Sequence, residues 1–367
     1  MFKYAGPTLL LAACLAPGSA AAFELSYLVG LRNNSHNYYA HLPGNLPDGG
    51  SFFEGFVRAL GVWMDASGNL RLTAVEEARE VCRANQTGST QNGVNTASFS
   101  DTFCGDDSYF SAAPVAEAVT QTSWNPAAII ESDIIFNEGR KSQFASIGHH
   151  FHHVAVHEIG HSLGFGHSAV RSAVMRARLP YGRRDPVLSI DDRCALAMRY
   201  GKPEECPILL GGGLATNGLP TDSKFVGGAT DNGGRSYRNQ FKPSDQITVY
   251  GTVVKDRTHG HRPGDLHVVV AAEDGTLFAR HADGNFHPLE DAAKIPSAGP
   301  LKPGLYAQDL VIMGARHYQR EPSVGPLIGS VYQLQGQTIH FYLAYSLDET
   351  PGVYYYGSEA ISISWSE

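Results

Sequence analysis

The sequence predicts an α+β domain followed by an all-β antiparallel sandwich domain, and three observations predict it. The chain has 367 residues, and at about 150 residues per domain that length suits roughly two cores. From Ser51 to Tyr200, apolar positions recur at helical spacing in some windows and gather in short β-rich runs in others. Beyond Lys224 strict alternation takes over.

Hydrophobic residues make up 43% of the chain and charged residues 17%, which describes a globular chain able to bury a core. The formal net charge is −8, and basic runs are as short as Arg183-Arg184. A nucleic-acid partner is therefore not expected, because phosphate binding needs clustered Lys and Arg.

Residues 1–22 read as an export signal. Met1-Phe2-Lys3 begins it, a short apolar run through Leu9-Leu10-Leu11 reaches Ala16, and Ala20-Ala21-Ala22 ends it. The run is too short to span a bilayer. Cleavage after Ala22 leaves Phe23 first, in a secreted, extracellular or periplasmic protein. Leu11-Ala12-Ala13-Cys14 also fits a bacterial lipobox, which would anchor the chain at the cell envelope through a lipidated Cys14. The well-formed Ala20-x-Ala22 site ranks simple secretion first, and a membrane is a partner only if Cys14 carries lipid.

Cys82, Cys104, Cys194 and Cys206 remain, an even number for an oxidising compartment. Four cysteines allow three connectivities. The sequence-local one, Cys82 with Cys104 and Cys194 with Cys206, is expected over buried free thiols.

Within residues 23–201, Phe52, Phe56, Leu60 and Trp63 lie at helical spacing and predict a core helix over 51–65. Short runs at 70–73, 94–99, 118–122 and 133–136 are expected to form the sheet. A second helix is expected over 148–163. A third begins at Ser189, where Asp192 completes a capping box, and ends at Tyr200-Gly201. Residues 202–224 are rich in Gly and Pro and read as a linker. Residues 225–367 are expected to form a β-sandwich accessory domain, with strands at 246–253, 266–270, 339–345 and 361–365 and turns at Asp274-Gly275 and Asp283-Gly284.

The chemistry centres on His157-Glu158-Ile159-Gly160-His161-Ser162-Leu163-Gly164-Phe165-Gly166-His167. Residues four apart share a helix face, so His157 and His161 can point at one metal. His167 must enter after a sharp turn, for which Gly164 accepts a positive φ. Three neutral imidazoles hold Zn²⁺ and leave a position for water, and Glu158 can act on that water as general base. With 16 His and 40 Gly in the chain, chance would give this pattern on the order of 10⁻⁴ times per chain.

This extended motif, followed by Ser168 and Ser172-Ala173-Val174-Met175, resembles the metzincin clan and within it the matrixins. The resemblance implies a metzincin-like domain with a twisted mixed sheet and three main helices. It implies one catalytic Zn²⁺ on His157, His161 and His167, with Glu158 catalytic and Met175 as the Met-turn floor beneath the metal. It further implies that Ala118, Val119 and Thr120 belong to an edge strand that pairs with an extended polypeptide substrate, and that Leu188 to Gly201 is the closing helix with its paired aspartates. Two departures stand out. No segment between signal and domain can supply the blocking cysteine of animal matrixins, so latency by that device is not expected. Arg176 follows Met175 where a Tyr is common, and Leu179-Pro180-Tyr181 comes later.

Other candidates carry blander expectations. His149, His150, His152 and His153 have no accompanying Asp or Cys pattern and are expected to face solvent or pack. His36 and His41 sit in an apparent early loop with no role. Asp101, Asp106 and Asp107 could supply oxygens to Ca²⁺ without any loop signature, which leaves calcium open. Tyr354-Tyr355-Tyr356 and Trp365 are expected in sheet packing.

The expected function is a secreted zinc-dependent endopeptidase. Its rivals are a zinc-containing surface adhesin, or a glycan- or protein-binding protein, in which proteolysis is incidental. Substrate preference and oligomeric state have no signal in the sequence.

Overall fold

Five strands form one sheet in the computed structural model: β1 (Ser35–His41), β2 (Arg71–Glu76), β3 (Asn95–Ser100), β4 (Ala118–Asn125) and β5 (Ala128–Asn137), in the order β2-β1-β3-β5-β4. β1 runs parallel to β2 and β3, β3 runs parallel to β5, and β4 alone is antiparallel to its neighbour. The sheet is thus mixed. The structure describes residues 25, 30–81, 92–103, 110, 117–125, 128–178, 184–260, 262–302, 305, 307–317 and 337–365. The signal at 1–22 with Cys14, the pair Cys82 and Cys104, Asp106, Asp107 and the 179–181 segment lie outside the described residues.

Helix α1 (Phe52–Ala66) starts at a reciprocal cap. Ser51 Oγ accepts from the Glu54 N–H at 3.1 Å, and Glu54 Oε2 accepts from the Ser51 N–H at 2.8 Å. Its stripe of Phe52, Phe56, Leu60 and Trp63 is buried, each side chain contributing about 1.5–3 kcal/mol relative to exposure. Helix α2 (His150–Ser162) lies against α1, where Trp63 Nε1 donates to the Val156 carbonyl at 2.9 Å. Helix α3 (Ile190–Tyr200) closes this half, and a one-turn helix covers Lys141–Phe144.

Two expectations need correction here. The early loop holding His36 and His41 is strand β1, whose inward face is His36, Tyr38 and Ala40. Its polar residues hide a two-residue period that the sheet nevertheless enforces. The stretch 202–224, expected to lack regular structure, carries a 3₁₀ turn at Pro203–Glu205 and the strand β6 (Gly213–Ala215). A three-residue strand is too short to show periodicity, and long-range pairing fixes it instead.

The remaining strands are β7 (Lys224–Thr230), β8 (Gln240–Phe241), β9 (Gln246–Val254), β10 (Gly264–Ala272), β11 (Leu277–Arg280), β12 (Phe286–Pro288), β13 (Gly299–Pro300), β14 (Ala307–His317), β15 (Thr338–Leu347), β16 (Tyr354–Gly357) and β17 (Ile361–Trp365). β14-β9-β7 make a three-stranded sheet, and the others join a nine-stranded sheet built along β12-β11-β10-β15-β16-β6. Pairing is antiparallel except where the two-residue β8 adds parallel to β17. One buried core draws Phe225, Val249 and Val253 from the first sheet and Val268, Phe341 and Ile363 from the second. Trp365 and Tyr355 are buried in it.

The two halves touch near the metal motif. Fully buried Leu25 bridges both Phe165 and Ala307. Val170 and Ala173 pack with Tyr250 of β9, and the Ser172 N–H donates to the Gly233 carbonyl at 3.0 Å. Cys194 and Cys206 form a disulfide that ties α3 to the chain leading into β6. Among the described residues no helix is long and apolar enough to cross a membrane.

Candidate metal centre

α2 ends at the turn the spacing demands. Gly164 takes φ +88°, the Phe165 N–H donates back to the Gly160 carbonyl at 3.1 Å, and the Gly164 N–H donates to the His161 carbonyl at 2.9 Å. This pair of bonds is a Schellman termination. It reverses the chain and brings His167 back over the last turn of the helix. The ring centroid of His167 then lies 5.3 Å from that of His157 and 4.8 Å from that of His161.

One ligand atom from each of His157, His161 and His167 falls within 4.8 Å of the other two, and no acid or thiol joins the group among the described residues. His157 is buried while His161 and His167 are partly exposed, so the cluster opens on one side.

The proton positions follow from the partners. His157 Nδ1 lies 2.8 Å from the Val174 carbonyl, and His161 Nδ1 lies 2.7 Å from the Phe165 carbonyl. A carbonyl only accepts, so each Nδ1 carries the proton. In neutral rings both Nε2 atoms are then lone-pair acceptors, yet they face each other at 3.0 Å. Two acceptors at that distance lack anything between them to share, and a cation supplies what is missing. Burial keeps the rings neutral: it lowers His157 to about 3, with His167 adding repulsion, and lowers His161 and His167 as well. Neutral imidazole is the form that ligates. The donor set therefore fits Zn²⁺.

Glu158 is buried beside this cluster. Its Oε2 accepts from the Thr120 hydroxyl at 2.5 Å. Burial pushes its carboxyl up to about 7, opposed by the Thr120 bond and reinforced by the charge of Glu117.

Met175 packs directly on the helix. A Cβ at Gly160 would stand 2.1 Å from Met175 Sδ and 2.9 Å from Trp63 Cζ2, so any larger residue there would force the thioether and the indole to shift. Behind Met175, the Asp192 carboxylate accepts from the N–H groups of Val174 at 2.9 Å and Met175 at 3.2 Å. Asp192 also caps α3 through Ser189, whose N–H and hydroxyl both reach it at 2.8 Å. Its neighbour Asp191 accepts from the Ser168 hydroxyl at 2.7 Å, one residue past His167.

The sequence model of the matrixin family matches residues 55–201. These residues are a matrixin-like domain of the metzincin type. Human matrilysin is 40% identical over 81 residues, which is 21% of this chain and 30% of matrilysin. Human matrix metalloproteinase-25 is 47% identical over 57 residues, 15% of this chain and 10% of that protein. The chain thus spans less than a third of the length of either relative.

In the matrixin-like domain β4 is the outermost strand of the described sheet, with Ala118, Val119 and Thr120 near its start. Thr120 turns its hydroxyl inward to Glu158, a contact that spacing gave no sign of. The backbone carbonyls of Val174 and Phe165 likewise leave no mark in residue types. Asp192 was legible as a helix cap but not as the holder of the Met175 turn. Of the upstream histidines, His150 is buried against Glu117 at 2.7 Å, and His153 Nε2 reaches the Arg184 carbonyl at 2.7 Å.

Proposed function

We propose that the chain is a secreted zinc-dependent endopeptidase in which His157, His161 and His167 hold one catalytic zinc and Glu158 is the general base. The observation that carries this reading is the pair of imidazole Nε2 acceptors facing each other at 3.0 Å beside a buried carboxylate. Bound zinc would supply Lewis-acid polarisation of the scissile carbonyl.

The rest belongs to the chain's own groups. Glu158 takes a proton from the attacking water and delivers it to the leaving amine, which makes it base and then acid. Thr120 holds the carboxylate in place through its short bond. An extended polypeptide lies along the edge strand β4, whose backbone direction serves many sequences. Met175 closes the underside of the ligand cluster, and the C-terminal sheets, read as a sandwich domain over 225–367, brace the loop between His167 and Met175. Export follows from the signal read at 1–22.

Glu158→Gln keeps the side-chain shape and removes the base. It is expected to lower cleavage of unfolded casein by about 10²–10⁴-fold while the protein still binds zinc at the three histidines, and a chelator is expected to abolish cleavage in the wild type. Undiminished cleavage in Glu158→Gln, or in chelator, overturns the assignment.

A further inference from the structure

We propose that His149, His152 and Asp185 form a second zinc site at the opposite end of α2 from the first. No acidic partner for these histidines is visible nearby in the sequence. The fold brings one from 33 residues beyond His152, on the chain that leads into α3.

His149 is the N-cap of α2 and His152 stands in its first turn, so three-residue spacing puts both on one face. His149 Nδ1 lies 2.8 Å and His152 Nδ1 lies 3.2 Å from the same oxygen, Asp185 Oδ1. One ligand atom from each residue falls within 4.8 Å of the other two. Around a zinc ion with bonds of about 2.0–2.2 Å, tetrahedral ligand atoms stand roughly 3.3–3.5 Å apart. The two histidine–carboxylate distances, 2.8 and 3.2 Å, therefore need to open by only a few tenths of an ångström to admit the ion, and the two imidazoles already lie within 4.8 Å of each other.

The donor types match the metal. Two imidazoles and one carboxylate suit zinc better than calcium or magnesium, which take oxygen. Asp185 and His149 reach solvent, with side-chain exposures of 68% and 42%, so an ion can enter and keep water in its remaining position. His152 by contrast is buried and fixed. Asp185 is held close independently of its own bonds, because His153 Nε2 donates to the carbonyl of the preceding Arg184 at 2.7 Å. The site would tie the segment before α3 to the first turn of α2.

Protein without a histidine tag, stripped of metal and dialysed against graded ZnCl₂, tests this by counting zinc per chain with plasma mass spectrometry. Two ions are expected in the wild type, one in His149→Ala/His152→Ala, and one in His157→Ala/His161→Ala/His167→Ala. Asp185→Asn, which preserves shape, is expected to weaken the second site by roughly tenfold or more, as loss of a ligand does. Circular dichroism checks that each variant is folded. Two ions persisting in a folded His149→Ala/His152→Ala protein overturns the proposal, as does a folded triple variant that binds none. A wild type with one ion that only the triple variant retains would sink the catalytic reading instead and leave this site standing.

Discussion

The Thr120 hydroxyl sits 2.5 Å from Glu158 Oε2, joining the outer strand of the sheet to the acid of the metal motif. This bond favours the ionised carboxylate and opposes the burial that pushes Glu158 up to about 7. A hydrogen bond to a charged group is worth about 1.5–3 kcal/mol, and one pKa unit corresponds to about 1.4 kcal/mol. Thr120→Val should therefore raise the acid limb of the kcat/KM profile by about 1 to 2 pH units. In the proposed mechanism Glu158 must be ionised to act as base, so the loss is larger at pH 6 than at pH 9. A bound cation lowers the absolute value in both proteins, which makes the difference the readout. An unmoved acid limb would show that Thr120 does not hold the base.

Asp192 reaches the histidine cluster through one intermediate residue, Val174. Its carboxylate holds the Val174 and Met175 N–H groups, and the Val174 carbonyl orients His157 Nδ1. Partners that orient metal ligands are typically worth about 10–100-fold in affinity. Asp192→Ala should weaken zinc binding by that factor, measured by competition with a chromogenic chelator, while leaving Glu158 in place. A variant that retained full affinity would reduce Asp192 to a helix cap.

The legible parts of this protein were those whose signal is local. The capping boxes at Ser51 and Ser189, the apolar stripe of α1 and the strand at Ile361–Trp365 are written within a few residues each. The convergence of His157, His161 and His167 is legible because helical geometry and one glycine turn bring them together. What the sequence hid depends on residues far apart. β1 pairs with two distant strands behind a polar face, β6 exists through its pairing with β16, and Asp185 meets His149 only after the chain has passed the Met175 turn. Backbone carbonyls that orient the imidazoles belong to any residue type, and no composition announces them.

Gly160 is legible as part of the motif, yet its reason is steric. An added methyl would meet Met175 Sδ at 2.1 Å and Trp63 at 2.9 Å. Overpacking of this kind costs about 1–3 kcal/mol, and here the strain falls between His157 and His161, two of the proposed zinc ligands. Gly160→Ala should lower both thermal stability and zinc affinity, and the same substitution should cost less when made in Met175→Ala, where the sulfur's space is vacant. Calorimetry of the wild type, both single variants and the double variant checks this. An equal cost of Gly160→Ala in the two backgrounds would place the strain elsewhere.

Asp191 provides a test of pH dependence away from the metal cluster. It is fully buried, Oδ2 accepts from Ser168, and Oδ1 has no hydrogen-bond partner among the described residues. Burial, then the charge of Asp192, holds its carboxyl well above the ordinary 3.8. The folded state thus keeps the proton to higher pH than the unfolded chain does. Between 3.8 and the raised value the folded protein binds more protons, so stability falls as pH rises through that window and stays lower above it. Asp191→Asn cannot ionise and loses this fall. Urea denaturation from pH 4 to pH 8 should find the variant gaining on the wild type as pH increases, and the loss of like-charge repulsion on Asp192 adds to that gain in the same direction. A difference between the two proteins that stayed constant across that range would mean Asp191 is ionised throughout, with its charge accommodated by the Ser168 hydroxyl alone.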